Sequence, residues 1–412
     1  MTIYIGADWD QKSVVFAAGQ QGQEPDWRGE LNLNLDDINQ WNQQLQRRFP
    51  RQDFVLAIER GLPLWATVFQ RLGCTVYVID PNRSKAFADA ICASAAKSDR
   101  ADANTLFLIA QNPNIRRQPL PETDDANAAL MRLARRHERL VKELNRTSNR
   151  IRSRLAEVFV NLNLPDLKRQ WVGDFLTTAP TAFHFQHLSP AKQADLINRL
   201  RMRGTTRNKL KTGLSQTFHH LGKWEAEVVG EEIRDLVAQL RQQLSMQKKV
   251  EAKMDELVQQ KSDAAAQLQS VDGVGSKLCG YLMALYFFAS SSDTRRDGAS
   301  IRLGASPVTV QTGRKTRHGE EQPRALMRKS APDIGRRTVY LLGLQAVRNL
   351  GWAKAQYRYL RDHGKSHGHA LRCVSRSLLR ILSSMRRNGQ LYDDARYIEA
   401  LKSKGVVWAS TL

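Results

Sequence analysis

Four acidic residues stand where catalytic chemistry can be built from them: Asp8, Glu59, Asp99 and Asp102. Asp8 follows the apolar run Ile3-Tyr4-Ile5-Gly6-Ala7, and Glu59 follows Phe54-Val55-Leu56-Ala57-Ile58, so each acid closes a short strand. Ligand sites in open α/β sheets form at the carboxyl ends of parallel strands. Asp99 and Asp102 are three residues apart and share one face of a helix. Four carboxylates brought together repel, and some stay protonated unless divalent cations neutralise them. Hard oxygen donors select Mg²⁺ or Mn²⁺, and two such ions about 4 Å apart suit phosphoryl transfer. Singly, each acid reads as a solvated surface group; as a set they point to a metal-dependent site. Asp10 follows the same first strand, and alternation points it with Asp8, which ranks it second.

The elements that must position these acids read as α/β. Val14-Val15-Phe16-Ala17-Ala18 returns beside the first strand as a hairpin, a helix runs from Pro63 to Leu72, and Cys74-Thr75-Val76-Tyr77-Val78-Ile79 forms a third strand ending in Asp80. An Ala-rich helical stretch over 86–110 carries Asp99 and Asp102. Strands alternating with helices imply a mostly parallel sheet with helices over it.

Behind this front the pattern turns helical and basic. Over 126–162, Leu133, Leu140, Leu144, Ile151 and Val158 keep a 3–4 spacing. Arg132, Arg135, Arg136, Arg139, Lys142, Arg146 and Arg150 cover much of the remaining surface, a face suited to nucleic-acid backbone. A heptad register passes through Val229, Ile233, Leu236, Leu240, Val250, Met254, Leu257, Ala264, Leu268 and Val271, interrupted by Gln243, Gln247 and Lys261. It describes either a coiled coil between copies of the chain or one long bundle helix. Val271-Asp272-Gly273-Val274-Gly275 ends that run as a phosphate-holding turn or a plain one. The stretch 307–332 reads as a loop whose Arg314, Lys315 and Arg317 can meet a phosphate backbone, and helices follow over 336–349 and 370–387.

The chain has 412 residues with 63 Lys+Arg against 41 Asp+Glu, a formal charge of +22, and 42% hydrophobic residues, enough to build the cores of two or three domains. The charge is uneven. Residues 1–110 hold 11 basic and 13 acidic groups and the rest hold 52 and 28, so carboxylate chemistry sits in front and polyanion binding behind. Four scattered cysteines without a CxxC pair exclude a disulfide framework or zinc finger. No apolar run approaches the roughly 20 residues that span a bilayer, and no signal-peptide pattern opens the chain. A reducing cytoplasm is the expected setting.

At the level of motifs the chain resembles a known family. Tyr4-Ile5-Gly6-Ala7-Asp8, Ala57-Ile58-Glu59-Arg60-Gly61, Asp80-Pro81 followed by Lys85-Ala86-Phe87-Ala88, and Lys97-Ser98-Asp99-Arg100-Ala101-Asp102-Ala103 are similar in order and type to the DEDD transposases of the insertion sequence 110 family, relatives of the Piv invertases. Val271-Asp272-Gly273-Val274-Gly275, Leu303-Gly304-Ala305-Ser306-Pro307 and the Arg336-Arg337-x-x-Tyr340 helix extend the likeness over most of the chain.

The resemblance implies a RuvC-like (RNase H-like) catalytic domain over 1–125, a basic helical and coiled-coil region for RNA binding and oligomerisation over 126–268, and a mostly helical transposase domain over 269–412. It further implies recombination of donor and target DNA guided by a structured bridge RNA, with Mg²⁺ (or Mn²⁺) held by Asp8, Glu59, Asp99 and Asp102. A hydroxyl linked covalently to DNA and composite active sites in dimers that assemble to a tetramer complete that picture. The family's nucleophilic serine falls at Thr312 in this chain, before Gly313, with Ser306 the nearest alternative hydroxyl.

Other candidates read more plainly. His363, His367, His369 and Cys373 fit no structural zinc spacing and, with Arg361 and Lys365 among them, suit a nucleic-acid-facing helix start. Eight dispersed tryptophans read mainly as core or interface anchors. Two rival functions remain: a RuvC-like nuclease in which water attacks, and a catalytically silent nucleic-acid-binding relative.

Overall fold

The computed structural model describes residues 1–10, 12–59, 63–91, 98–115, 119–120, 125–159, 162, 164, 166–200, 202–216, 221–290, 298–315, 321–326 and 331–410, with the side chains of 63, 262, 286–290, 302, 309–315 and 321–325 outside that description. Two compact units divide the chain, Met1–Glu122 and Thr123–Leu412.

The first unit is a five-stranded mixed sheet with helices. Its elements are β1 (Thr2–Trp9), β2 (Ser13–Gln20), β3 (Trp27–Asn32), α1 (Leu35–Arg48), β4 (Asp53–Glu59), α2 (Pro63–Arg71), β5 (Cys74–Ile79), α3 (Pro81–Ile91) and α4 (Asp99–Gln111). The strand order is β3-β2-β1-β4-β5. β1, β4 and β5 are parallel, as their acid-ended sequences predict, while β2 and β3 run antiparallel, so the sheet is less parallel than expected. The tight return is made by Asp10, whose carboxylate accepts from the Lys12 and Ser13 amides at 2.6 and 2.8 Å and is held below its ordinary pKa by them. Asp10 is therefore occupied as a turn residue.

Alternation along the strands sorts the side chains onto two faces. Ile3, Ile5 and Ala7 of β1 and Phe54, Leu56 and Ile58 of β4 bury against Ile38, Trp41 and Leu45 of α1 and Phe69 of α2. The opposite face, carrying Tyr4, Gly6 and Asp8 of β1 and Val55, Ala57 and Glu59 of β4, meets α4, where Ala57 packs with Leu106, Ile109 and Ala110.

The second unit is mostly helical: α5 (Asp125–Val158), α6 (Gln170–Thr178), α7 (Ala182–Gln186), α8 (Pro190–Arg199), α9 (Gly204–Ser215), α10 (Lys223–Gln259), α11 (Ser262–Gln269), α12 (Ser276–Ser290), α13 (Gly298–Arg302), β6 (Val308–Lys315), β7 (Glu321–Leu326), α14 (Asp333–Asn349), α15 (Gly351–Asp362), α16 (His367–Asn388) and α17 (Asp394–Ser403). α5 and α10 lie side by side and antiparallel. At one end Leu130, Ala134 and Leu140 share a core with Val250, Met254 and Val258, and with α12, α14 and α16. At the other end Leu144, Ile151 and Val158 meet Ile233, Leu236 and Leu240, and α6–α9 close over them.

The stripe read as a heptad register is thus taken up within the chain by α5, and α10 stops at Gln259 rather than continuing to Val271. The stretch read as a loop over 307–332 contains a two-stranded hairpin instead, with Val308 opposite Leu326 and Val310 opposite Arg324. Its β-branched Val308-Thr309-Val310 core sits between Pro307 and a run of charge and glycine, which hid the strand. Among the described residues, no helix is long and apolar enough to cross a membrane.

Candidate active site

The site starts from the β1–β4 register. Ala7 lies beside Ile58, so the next rung places Asp8 and Glu59 side by side at the carboxyl ends of two parallel strands. Both point to the face that α4 covers. The approach of α4 is set by Gly6, because a Cβ there would fall 2.1 Å from the Ala103 carbonyl oxygen and 2.1 Å from the Phe107 amide nitrogen. Backbone of α4 thus rests directly on backbone of β1, which no side chain other than hydrogen permits.

The start of α4 carries the other two acids. Ser98 caps the helix, its hydroxyl accepting from the Ala101 amide at 3.2 Å, and Asp99 and Asp102 occupy the first turn, where the helix dipole favours negative charge. Part of the Lys-Ser-Asp-x-x-Asp pattern is therefore ordinary capping grammar. What capping does not require is that this turn stand over the ends of β1 and β4.

The electrostatics report that proximity. Burial lifts the Asp8 pKa first, repulsion from Asp102, Glu59 and Asp99 lifts it further, and the Trp9 amide opposes them; the result is a carboxyl pushed up to about 6. The Trp9 N–H donates to Asp8 at 3.1 Å, and the Trp9 indole donates to the Glu59 carbonyl at 3.3 Å. The four acids therefore gather around one locus. As they stand they do not close into a chelating cluster: among the described residues, no three His, Cys, Asp or Glu form a group able to hold an ion. The donor set of four carboxylates, one of them raised by burial and by its neighbours, nonetheless suits a hard divalent cation.

Two contributors were missed in the sequence. Ser84, in the first turn of α3 and 6% exposed, donates its hydroxyl to the Glu59 carboxylate. Its signal was its place three residues after Pro81, at a helix start whose Asp80 carboxylate accepts from the Asn82 amide. Gly6 was the other, visible only as a glycine within a strand.

The remaining predicted residues fall in the helical unit. Ser306 is 6% exposed, and its hydroxyl has no hydrogen-bond partner among the described residues. Thr312 lies in β6, where the ladder changes register between Gln311 and Lys315. The side chains of Thr312, Arg314 and Lys315, and all of Arg317, lie outside the described residues. Arg132, Arg135, Arg136, Arg139, Lys142, Arg146 and Arg150 are all exposed along α5, with Lys142 shared between Glu138 and Asp333 at 3.3 and 3.4 Å. His363 and His367 bond to Tyr359 and Tyr357, and with His369 and Cys373 they form no metal group. Trp352, Trp41 and Trp171 are buried as anchors, whereas Trp224 is 80% exposed.

Comparison with known proteins gives this geometry a lineage. A family model described as Transposase, the DEDD type of insertion sequence 110, matches residues 5–160. Residues 5–160 are thus similar to the transposase domain of the IS110 type. Two relatives from Streptomyces coelicolor extend the similarity beyond that domain. One, the uncharacterized 43.6 kDa protein of insertion element IS110, is 25% identical over 81% of this chain and 80% of its own length. The other, named as a candidate transposase for the mini-circle element IS117, is 24% identical over 96% of each chain. The matched stretch takes in the first unit from residue 5 onward and all of α5.

Proposed function

We propose that the chain is a DNA transposase or recombinase that cuts and rejoins donor and target strands by metal-assisted phosphoryl transfer, directed by a structured guide RNA. One observation carries the reading: four acids in the order Asp, Glu, Asp, Asp converge at the ends of β1 and β4 and the start of α4, inside a domain matching a family named for those four letters. The sheet order β3-β2-β1-β4-β5 supports a RuvC-like identity for that domain.

Asp8, Glu59, Asp99 and Asp102 would hold Mg²⁺ or Mn²⁺, which when bound neutralises their repulsion and polarises the scissile phosphate. The protein's own part is placement. Gly6 sets the depth of α4, Ser98 fixes its first turn, and Ser84 orients Glu59. Thr312 is the proposed nucleophile. Its hydroxyl loses a proton to a base or water, its oxygen bonds to phosphorus, and the bond from phosphorus to one ribose oxygen breaks and takes up a proton. Attack by another strand's hydroxyl reverses the step, so one phosphodiester is exchanged for another without a nucleotide cofactor. The exposed arginines of α5 supply backbone contacts that do not read sequence, consistent with an RNA supplying it. Dimers assembling to a tetramer, each site completed by a second copy, and action on the bacterial nucleoid belong to the same proposal.

The nuclease reading has two observations in its favour: the nearest alternative hydroxyl, Ser306, is buried, and a threonine stands where the family places serine. Incubation with labelled donor DNA and Mg²⁺ separates the two. A protein–DNA adduct that survives denaturation and is lost in both Thr312→Ala and Asp102→Ala supports the recombinase. Cleavage with free ends and no adduct overturns it in favour of the nuclease.

A further inference from the structure

A wide-mouthed cavity of about 570 Å³ opens where the ends of α6, α8 and α9 meet, and four of its lining residues are arginines: Arg169, Arg199, Arg203 and Arg207, with Asn198 beside them. The segment 199–211 contains six basic residues and no acid. Arg199 shares its guanidinium with Asp195 at 2.8 Å, both exposed, while no such pair is found for the other three among the described residues. Arg207 is further distinguished, because its Nε is buried and lacks a hydrogen-bond partner among the described residues. Arg169 and Arg203 are also the N-caps of α6 and α9, and neither side chain caps its helix. The positive ends of two helices thus add to the guanidinium charge.

Gathering cations around one space opposes folding unless an anion occupies it. The lining selects which anion. It holds no aromatic residue on which a base could stack and little apolar surface for a small organic ligand. Guanidinium forks match phosphate geometry, and a cavity open to solvent admits a chain that continues past it.

We propose that this cavity grips the sugar–phosphate backbone of a nucleic acid strand, two or more phosphodiesters at a time, as a site separate from the carboxylates and from the α5 arginines. The inference rests on the reading of the chain as a nucleic-acid-processing protein and adds where that polyanion is held. Such a grip positions the strand and does not read its bases.

The test titrates the full chain with labelled RNA hairpin and labelled duplex DNA of equal length over a range of KCl. Removing the partner of one phosphate lowers the slope of log affinity against log salt by about 0.7 for single strands and 0.9 for duplex. Arg203→Gln with Arg207→Gln is expected to weaken binding about tenfold or more at 0.15 M salt and to flatten the slope by the equivalent of about two phosphates. Arg169→Gln with Arg203→Gln, both exposed and outside the core, repeats the measurement without touching the buried Nε of Arg207. Weakening with one probe only names RNA or DNA as the occupant, and equal weakening with both makes the cavity a general backbone grip. Wild-type binding with an unchanged slope in both double variants overturns the cavity and leaves the functional reading intact. Failure of the wild type to bind either probe overturns both.

Discussion

Carboxylates at the helix junctions of the second unit and at the strand ends of the first are treated oppositely. In the helical unit those at helix junctions are paired: Glu251 with Lys277 at 2.6 Å and His137 at 2.8 Å, Glu232 with Arg154 at 3.0 Å, and Asp174 with Arg241. At the ends of β1 and β4, Asp8 faces Asp102, Glu59 and Asp99, and its described help is one backbone amide. Paired acids join elements. Glu251 on α10, His137 on α5 and the Tyr281 hydroxyl on α12, 2.6 Å from His137, form one partly buried network across three helices. Unpaired acids destabilise the fold that holds them, and such strain is kept where a ligand relieves it. The difference teaches where to look for function in a chain with 41 acids: among those whose charge the protein leaves uncompensated.

The comparison breaks hardest at Gly6. Gly6→Val drives a branched side chain into the α4 backbone and is expected to cost about 3 kcal/mol or more, read by urea denaturation with amide exchange over β1. A small effect would mean α4 does not rest on β1 and the acids are not held together. In the helical unit, Glu251→Ala strands His137 and Lys277 and is expected to cost about 2–3 kcal/mol in the same assay.

Asp8→Asn should do the reverse. Removing the crowded charge is expected to stabilise the metal-free protein near neutral pH, on the order of 1 kcal/mol after allowing for solvent screening at this half-buried site, while ending catalysis. Millimolar Mg²⁺ then raises the melting temperature of the wild type and not of the variant.

The pH response divides the same way. With its folded pKa raised from 3.8 to about 6, Asp8 contributes stability that is complete below about pH 4 and lost as pH rises through 6. Burial lowers the pKa of His137 against the pull of Glu251, so its contribution is complete above about 6.5 and lost on acidification. Burial raises Glu251, but hydrogen bonds from Lys277 and His137 outweigh it and leave the pKa lowered, which adds a loss at lower pH. Amide exchange at pH 5 and 7.5 without divalent ions is therefore expected to show the first unit gaining protection in acid and the α5–α10–α12 junction losing it. The smallest effect belongs to Ser84→Ala, which removes one hydrogen bond from Glu59, about 1 kcal/mol of stability, and a larger fraction of strand cleavage than its Thr variant.

The strands that carry acids were legible because their apolar runs end in charge, but the register that sets Asp8 beside Glu59 was not. β3 was not, since Trp27–Asn32 buries only Leu31 fully and reads as polar. The α10 stripe was legible as a stripe, but a 3–4 repeat does not say whether its partner is another chain or α5. Gly6 and Ser84 escaped because their roles depend on what arrives from elsewhere in the chain: the α4 backbone over Gly6 and the Glu59 carboxylate beside Ser84. The arginine cavity escaped for a similar reason, since Arg169 and Arg203 meet only after α6–α9 fold over one core.

The paired α5 and α10 also fix a length. From His137, in the junction with α12, to Val158, under α6–α9, α5 rises about 30 Å. That is close to the pitch of duplex DNA, roughly 34 Å. The two helices thus hold the α12 junction and the core beneath α6–α9 apart by a length of α5 close to one turn of the double helix.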